Sequence, residues 1–277
     1  MLYLVATPIG NLSDITYRAI ETLKTCDYIL CEDTRHSKGL LTHYDIQKPL
    51  RSFHKFSESS QEKGIIHDLQ AGKTIGLISD AGTPGISDPG SALVKECRSQ
   101  AIPVIAIPGA CAAITAVSSS GLNTDRFQFV GFLPRKQNER RHFLQELLQY
   151  PGTTVCYESP NRLVDSLTSL LELAPKRKIV VARELTKKFE EVLQGTAEEL
   201  IAHWRDQAVR GEIVLMISES EEEVLSGSEW EKLSPDEHVS LMEQSYHMTR
   251  NEAIKMVAQI RGVPKRTIYN ASLTNKN

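Results

Sequence analysis

"TIGLISDAGTPGISDPG" (residues 74–90) decides how the chain folds. Residues 74–79 are a short run of β-forming, mostly apolar side chains, and 79–90 hold three glycines, two prolines and two aspartates. A run apolar on both faces suits a strand covered on both sides of an α/β sheet. Ligands of such sheets gather beyond the carboxyl ends of the strands, so the bent, acidic stretch that follows is a candidate binding loop.

Working outward, further β-rich runs stand at 2–6, 27–31, 102–107, 126–132, 153–158, 178–183 and 212–218. Amphipathic patterns at 13–24, 90–100, 110–119, 137–149, 159–172 and 196–208 alternate with them. The alternation predicts two successive α/β domains, residues 1–120 and 121–220, joined at the Ser/Gly/Asn-rich loop "SSSGLNTD" (118–125). The 277-residue length, with 40% hydrophobic and 24% charged residues, is ordinary for such a pair. Five scattered cysteines without a C-x-x-C pair, no basic n-region, and Pro103, Pro108 and Gly109 breaking the one long apolar run predict a soluble, cytoplasmic protein. His43, His54 and His67 lack metal-ligand spacing, so no metal is expected.

The character changes after residue 218. Residues 219–237 carry eight acidic groups and one lysine, and 221–233 read as an acidic linker. Residues 234–277 read as a helical module. "SPDE" (234–237) and "TRNE" (249–252) are capping boxes. The second opens a helix with Ala253, Ile254, Val257, Ala258 and Ile260 on one face, Gly262 as its C-cap and Pro264 starting a third helix. Arg250, Lys255, Arg261, Lys265, Arg266 and Lys276 oppose a single Glu252 within 250–277. This resembles a small helix-turn-helix module, for which nucleic-acid binding is expected; a dimerisation arm with solubilising lysines is the plainer reading.

The loops after the strands carry the candidate chemistry. "TPIGNLSDIT" (7–16) offers Pro8 and Gly10, with Ser13 or Asp14 as the cap of a helix reaching 24. Neither G-x-G-x-x-G nor G-x-x-x-x-G-K-[ST] occurs there, which disfavours a dinucleotide or nucleoside triphosphate. In 79–90, Gly82 permits close backbone approach, while Asp80 and Asp88 would repel a phosphate and accept a cationic or neutral ligand. Asp88 could equally cap the helix that follows. The small residues of "PGACAAITA" (108–116) serve either a flat ligand or close helix–sheet packing. "CEDTRHS" (31–37) brings together Glu32, Asp33 and Arg35, as catalytic groups or with Glu32 and Arg35 as a structural ion pair. "ARELTKKFEE" (182–191) offers Glu184 and Lys187, which surface position alone would also explain.

Taken in order, "LYLVATPIGNLSDIT", "EDTRHSKGLL", "SDAGTPGISDPG", "IPGACAAITA", "GFLPRK" (131–136) and "ARELTK" resemble the successive motifs of the bacterial small-subunit rRNA 2′-O-methyltransferases, within the tetrapyrrole methylase superfamily. The resemblance runs from residue 2 to the basic C-terminus. It implies S-adenosylmethionine bound in a cleft between the two α/β domains, a homodimer, and methyl transfer to a cytidine ribose 2′-hydroxyl of 16S rRNA near the decoding centre. On that basis the cofactor contacts are expected at Pro8, Gly10, Asp80, Ala81, Gly82, Thr83, Asp88, Ala112, Ala113, Phe132, Leu133, Tyr157, Arg183 and Glu184. Arg35 would orient the nucleotide, and Glu32 or Asp33 would act as base or hold the arginine. The alternatives are a tetrapyrrole-type small-molecule methyltransferase of the same fold and a non-catalytic RNA-binding assembly factor. A nicotinamide oxidoreductase is disfavoured by the missing glycine fingerprint.

Overall fold

The computed structural model describes residues 1–54, 58–205, 208–219, 233–246 and 248–272. The expected linker, 221–233, lies outside them but for Leu233, as does Lys276. The chain divides into two compact units, Met1–Ser119 with Ala182–Glu191, and Ser120–Val181 with Val192–Asn277.

The first unit is built on β1 (Leu2–Val5), β2 (Tyr28–Cys31), β3 (Leu50–Ser52), β4 (Ile75–Leu77) and β5 (Val104–Ile107). They form one sheet in the order β3-β2-β4-β1-β5, and its strand pairings are parallel. Its helices are α1 (Tyr17–Thr25), α2 (Thr34–His43), α3 (Glu58–Gln70), α4 (Ser91–Ser99) and α5 (Ala112–Ser119). Alternation along β1 divides the core. Leu2 and Leu4 face a cluster with Ile65, Leu69, Leu93 and Cys97 of α3 and α4. Tyr3 and Val5 face another with Ala19, Leu23 and Leu41 of α1 and α2. Each fully buried leucine, such as Leu23, contributes about 1.5–3 kcal/mol through removal from water. Gly76 allows the close fit of α1, since a Cβ there would lie 3.1 Å from Cys26 Sγ and 3.2 Å from Leu23 Cδ2.

The second unit holds β6 (Phe127–Phe132), α6 (Gln137–Leu147), β7 (Thr153–Glu158), α7 (Leu163–Leu173), β8 (Ile179–Arg183) up to Val181, β9 (Glu191–Gly195) from Val192, α8 (Ala197–His203) and β10 (Ile213–Ile217). The sheet order is β6-β7-β10-β8-β9, with β6–β7 parallel and β7–β10 antiparallel. Then come α9 (Pro235–Tyr246), α10 (Arg250–Ile260) and α11 (Lys265–Ala271), with their own core of Val239, Met242, Ala253, Ile254, Val257 and Ile268. Tyr246 also packs against the core of the sheet.

The α/β organisation and the helical module match the sequence reading, and 102–122 is strand, turn and helix. Among the described residues no helix is long and apolar enough to cross a membrane. Four elements were not legible: α2, α3, β3 and β9. Gly39 weakens the helical signal of α2 in the sequence, β3 has one apolar residue in three, and β9 alternates weakly at an exposed edge. One cap differs as well. Thr16, whose hydroxyl accepts from the Ala19 N–H at 3.1 Å, caps α1; Ser13 and Asp14 instead belong to a 3₁₀ turn, Leu12–Asp14.

Candidate functional site

In the first sheet β1 and β4 are neighbours, yet their connections depart to opposite sides: β1 leads through α1 to β2, and β4 leads through α4 to β5. This is a topological switch point, where open α/β sheets form their binding crevices. The loops there are stitched together by backbone. Thr7 N–H donates to the Gly82 carbonyl at 2.9 Å, and Gly82 N–H returns to the Thr7 carbonyl at 3.0 Å. The Thr7 hydroxyl donates to the Ser79 carbonyl at 3.1 Å, and the Thr83 hydroxyl to the Ala110 carbonyl at 3.1 Å. Gly82 has φ +82, and a Cβ at Gly109 would lie 2.8 Å from Ala6 Cβ, so the loops after β1, β4 and β5 meet at glycines.

Three carboxylates gather on this frame. Glu32 follows β2, and Asp80 and Asp88 follow β4. Burial, then the charges of Asp88 and Asp80, push Glu32 up to about 7. Burial, then Asp80, push Asp88 up to about 6, against a hydrogen bond from Ser79. Asp33 N–H donates to Asp80 Oδ1 at 3.4 Å, linking the two loops. The expected cap role does not hold for Asp88: α4 begins at Ser91 with Gly90 as N-cap at φ +125 and without a side-chain cap bond. The aspartate therefore remains with Ser79 and the other acids. Ser87, at φ +64, is held in a conformation costly to a non-glycine residue.

Asp33 is the N-cap of α2, accepting from the Arg35 N–H at 2.8 Å. It also pairs with the Arg35 guanidinium at 3.2 Å, which holds the Asp33 carboxyl below its usual range. The ion pair at this helix start is thus Asp33–Arg35 rather than Glu32–Arg35. The Arg35 side chain is 91% exposed.

The remaining expected residues fall in three places. Pro8 is buried behind the Thr7–Gly82 bridge, and Gly10, Ala81, Ala112 and Ala113 line the same group of loops, with Ala113 buried. Arg183, Glu184 and Lys187 lie in the segment Ala182–Glu191: Arg183 donates to Glu191 at 2.5 Å, and Lys187 to Glu184 at 2.9 Å. Phe132, Leu133 and Tyr157 lie in the second unit. Phe132, 57% exposed, stacks edgewise on Tyr157 just after Gly131, φ +70, in the stretch where the β6–β7 register shifts.

A network the sequence reading missed fixes these last residues. Glu158, buried at the end of β7, accepts from Arg162 Nε and Ser159 N–H, both at 2.7 Å, and from Ser166 at 2.7 Å. Arg162 donates onward to the Leu133 carbonyl at 2.9 Å. The Glu and Arg four residues apart in "YESPNR" were its only trace in the sequence. Ser79 and Thr7, which latch the switch point, were also missed, because hydroxyls in a short loop carry no pattern.

In the helical module, Glu237 accepts from the Ser234 N–H at 2.7 Å and Glu252 from the Thr249 N–H at 2.8 Å, as the capping boxes require. Gly262, φ +64, closes α10 with Gly262 N–H to Gln259 and Val263 N–H to Ala258, the Schellman pattern. Two of the expected outward cations face inward. Arg250 pairs with Asp236 at 2.6 Å and Glu243 at 3.0 Å, and Arg261 donates to His238 Nδ1 at 3.2 Å and to the Leu233 carbonyl at 2.6 Å. Lys255, Lys265 and Arg266 are exposed.

Residues 1–201 match the family model for tetrapyrrole (corrin/porphyrin) methylases. The chain is 49% identical to the ribosomal RNA small subunit methyltransferase I of Halalkalibacterium halodurans, covering 97% of this chain and 93% of that protein. It is 46% identical to the protein of the same name from Synechocystis sp., covering 99% and 97%. The crystal structure of uroporphyrin-III C-methyltransferase from Thermus thermophilus, complexed with S-adenyl homocysteine, aligns with TM-score 0.56 at 18% identity, over 80% of this chain and 97% of that one. With a switch-point loop cluster of this build and relatives nearly half identical along almost its whole length, the chain belongs to the tetrapyrrole (corrin/porphyrin) methylase family.

Proposed function

We propose that the protein is an S-adenosylmethionine-dependent methyltransferase acting on a cytidine ribose 2′-hydroxyl of small-subunit rRNA near the decoding centre. The observation that carries the reading is the coincidence of near-full-length identity to rRNA methyltransferases with three carboxylates at the switch point. The donor set fits the cofactor. Glu32 and Asp88, raised by burial and mutual repulsion, are stabilised by a ligand bearing fixed positive charge, and a phosphate would be repelled. Gly82, Thr83, Ala112 and Ala113 supply backbone and small side chains for a compact ligand, Pro8 and Gly10 shape the adjoining turn, and Asp80, Ala81 and Asp88 face it. The same role for Phe132, Leu133, Tyr157, Arg183 and Glu184 rests on the resemblance alone.

When bound, the cofactor supplies a methyl group already activated by its sulfonium. The protein's own work is alignment and proton removal. Glu32, with a pKa near neutrality, is suited to take the proton of the 2′-hydroxyl. Arg35, held by Asp33 at the start of α2, presents a cation to a backbone phosphate of the RNA. Lys255, Lys265 and Arg266 of the helical module are the proposed distal RNA contacts, with Arg250 and Arg261 holding the module together. A homodimer acting in the cytoplasm belongs to the same reading. Transfer of labelled methyl from S-adenosylmethionine to small subunits lacking the modification tests it: incorporation at one ribose supports it, and cofactor binding without transfer to RNA would refute it.

A further inference from the structure

The segment between β8 and β9 is costly in a way that packing does not explain. Glu184, φ +51, and Thr186, φ +68, are left-handed without being glycine, and for a β-branched residue this is a strained state. The Thr186 hydroxyl is buried without a hydrogen-bond partner among the described residues. Two tight turns follow one another, Lys187 N–H to the Glu184 carbonyl and Glu190 N–H to the Lys187 carbonyl. The segment rests on the loop after β1, where Gly10 leaves room for it; a Cβ there would lie 2.5 Å from Lys187 Cγ.

Every acidic side chain of the segment is engaged within it. Glu184 takes Lys187 at 2.9 Å, Glu190 accepts the Thr186 N–H at 2.6 Å, and Glu191 takes Arg183 at 2.5 Å. What remains facing solvent is Phe189, 67% exposed, with Lys188 Nζ 5.6 Å from its ring centroid. An exposed aromatic beside a cation, on a stiff strained turn next to the loop after β1, has the chemistry of a stacking platform for an unpaired base. The ring meets the base face and the ammonium the adjacent phosphate, irrespective of sequence.

We propose that Phe189, with Lys188, stacks on an unpaired nucleobase of the RNA substrate beside the target ribose. This rests on the function proposed above. A second copy of the chain is the competing occupant, but a protein interface would accept any large apolar side chain, whereas stacking needs a π face.

The test compares the full chain with Phe189→Leu, Phe189→Tyr and Lys188→Ala. Methyl transfer to unmodified small subunits, S-adenosylmethionine affinity, thermal stability and mass in solution are measured for each. The proposal expects Phe189→Leu to raise KM for the subunits about tenfold, the scale of losing one base–aromatic stack. Phe189→Tyr should restore it, and Lys188→Ala should raise KM about threefold and flatten the salt dependence. Cofactor affinity, thermal stability and mass should stay unchanged. Full activity of Phe189→Leu, or its conversion to a smaller species in solution, would overturn the proposal. If the wild-type protein transfers no methyl to RNA, the function proposed above fails first, and separately.

Discussion

The two charged regions of this molecule handle their carboxylates in opposite ways. At the switch point of the first sheet, Glu32 and Asp88 are raised to about 7 and about 6, because burial and neighbouring acids oppose ionisation. In the helical module, Glu237 and Glu252 are lowered, because each accepts from the backbone and hydroxyl of its own capping residue. The module's cations follow suit: Arg250 is spent on Asp236 and Glu243 inside the fold. One region holds like charges that a cationic ligand can relieve, at a cost to the ligand-free fold. The other satisfies most of its charges internally, leaving Lys255, Lys265 and Arg266, among the described residues, for a partner.

The largest effect should come from the first region. Glu32→Gln should lower kcat about 100-fold or more, the usual worth of a general base, with cofactor affinity changed less. In the unmodified enzyme kcat/KM should rise with pH through about 7, where Glu32 ionises in the ligand-free protein. A flat profile would remove Glu32 from the proton transfer.

Next, Arg250 should separate from the exposed cations. Arg250→Ala strands Asp236 and Glu243 and removes a donor to the Ser272 carbonyl, so the module should lose about 1–3 kcal/mol of stability by thermal melting. The double change Lys265→Ala, Arg266→Ala should leave melting unaltered. It should instead reduce the salt slope of RNA binding by about one for each phosphate no longer neutralised. The reverse pattern would erase the distinction between the two sets.

Acid should act on the regions with opposite signs. Glu32 and Asp88 bind protons more tightly folded than unfolded, so their contribution is most favourable at low pH and is lost as pH rises toward 7, by about 1–2 kcal/mol after solvent screening. Asp88→Asn should therefore stabilise the ligand-free protein at pH 8 and not at pH 4. His238, buried and facing Arg261, is lowered to about 4. Its contribution is present above about 6.5 and lost as pH falls toward 4, so His238→Gln should flatten the acid end of the melting profile.

The smallest effect tests a turn. Gly262→Ala meets no atom within 4 Å but must adopt φ +64, so it should cost about 1 kcal/mol.

How much of this the sequence carried depends on the kind of signal. The inner parallel strands β2 and β4 were legible because they are buried at every position, and an unbroken apolar run records that. The module was legible because capping boxes, Gly262 and Pro264 are local rules. Asp80 and Asp88 were legible as an acidic loop, but their convergence with Glu32 arises from strand order, which brings β2 beside β4 although other elements intervene in the chain. The inward turn of Arg250 and Arg261 was not legible: their partners, Asp236, Glu243 and His238, sit on another helix, and a count of positive residues cannot tell a clamp from a docking group. The strain at Glu184 and Thr186 leaves no compositional mark at all.

The most direct measurement is calorimetric titration of the pure full-length protein with S-adenosylmethionine, beside the Asp80→Asn, Asp88→Asn double variant, at pH 8. Saturable binding to the unaltered chain, weakened at least about tenfold in the variant while the fold stays intact, is the predicted result. Binding of equal strength to both proteins, or none to either, would contradict the claim that the carboxylates beyond β4 hold a cationic methyl donor.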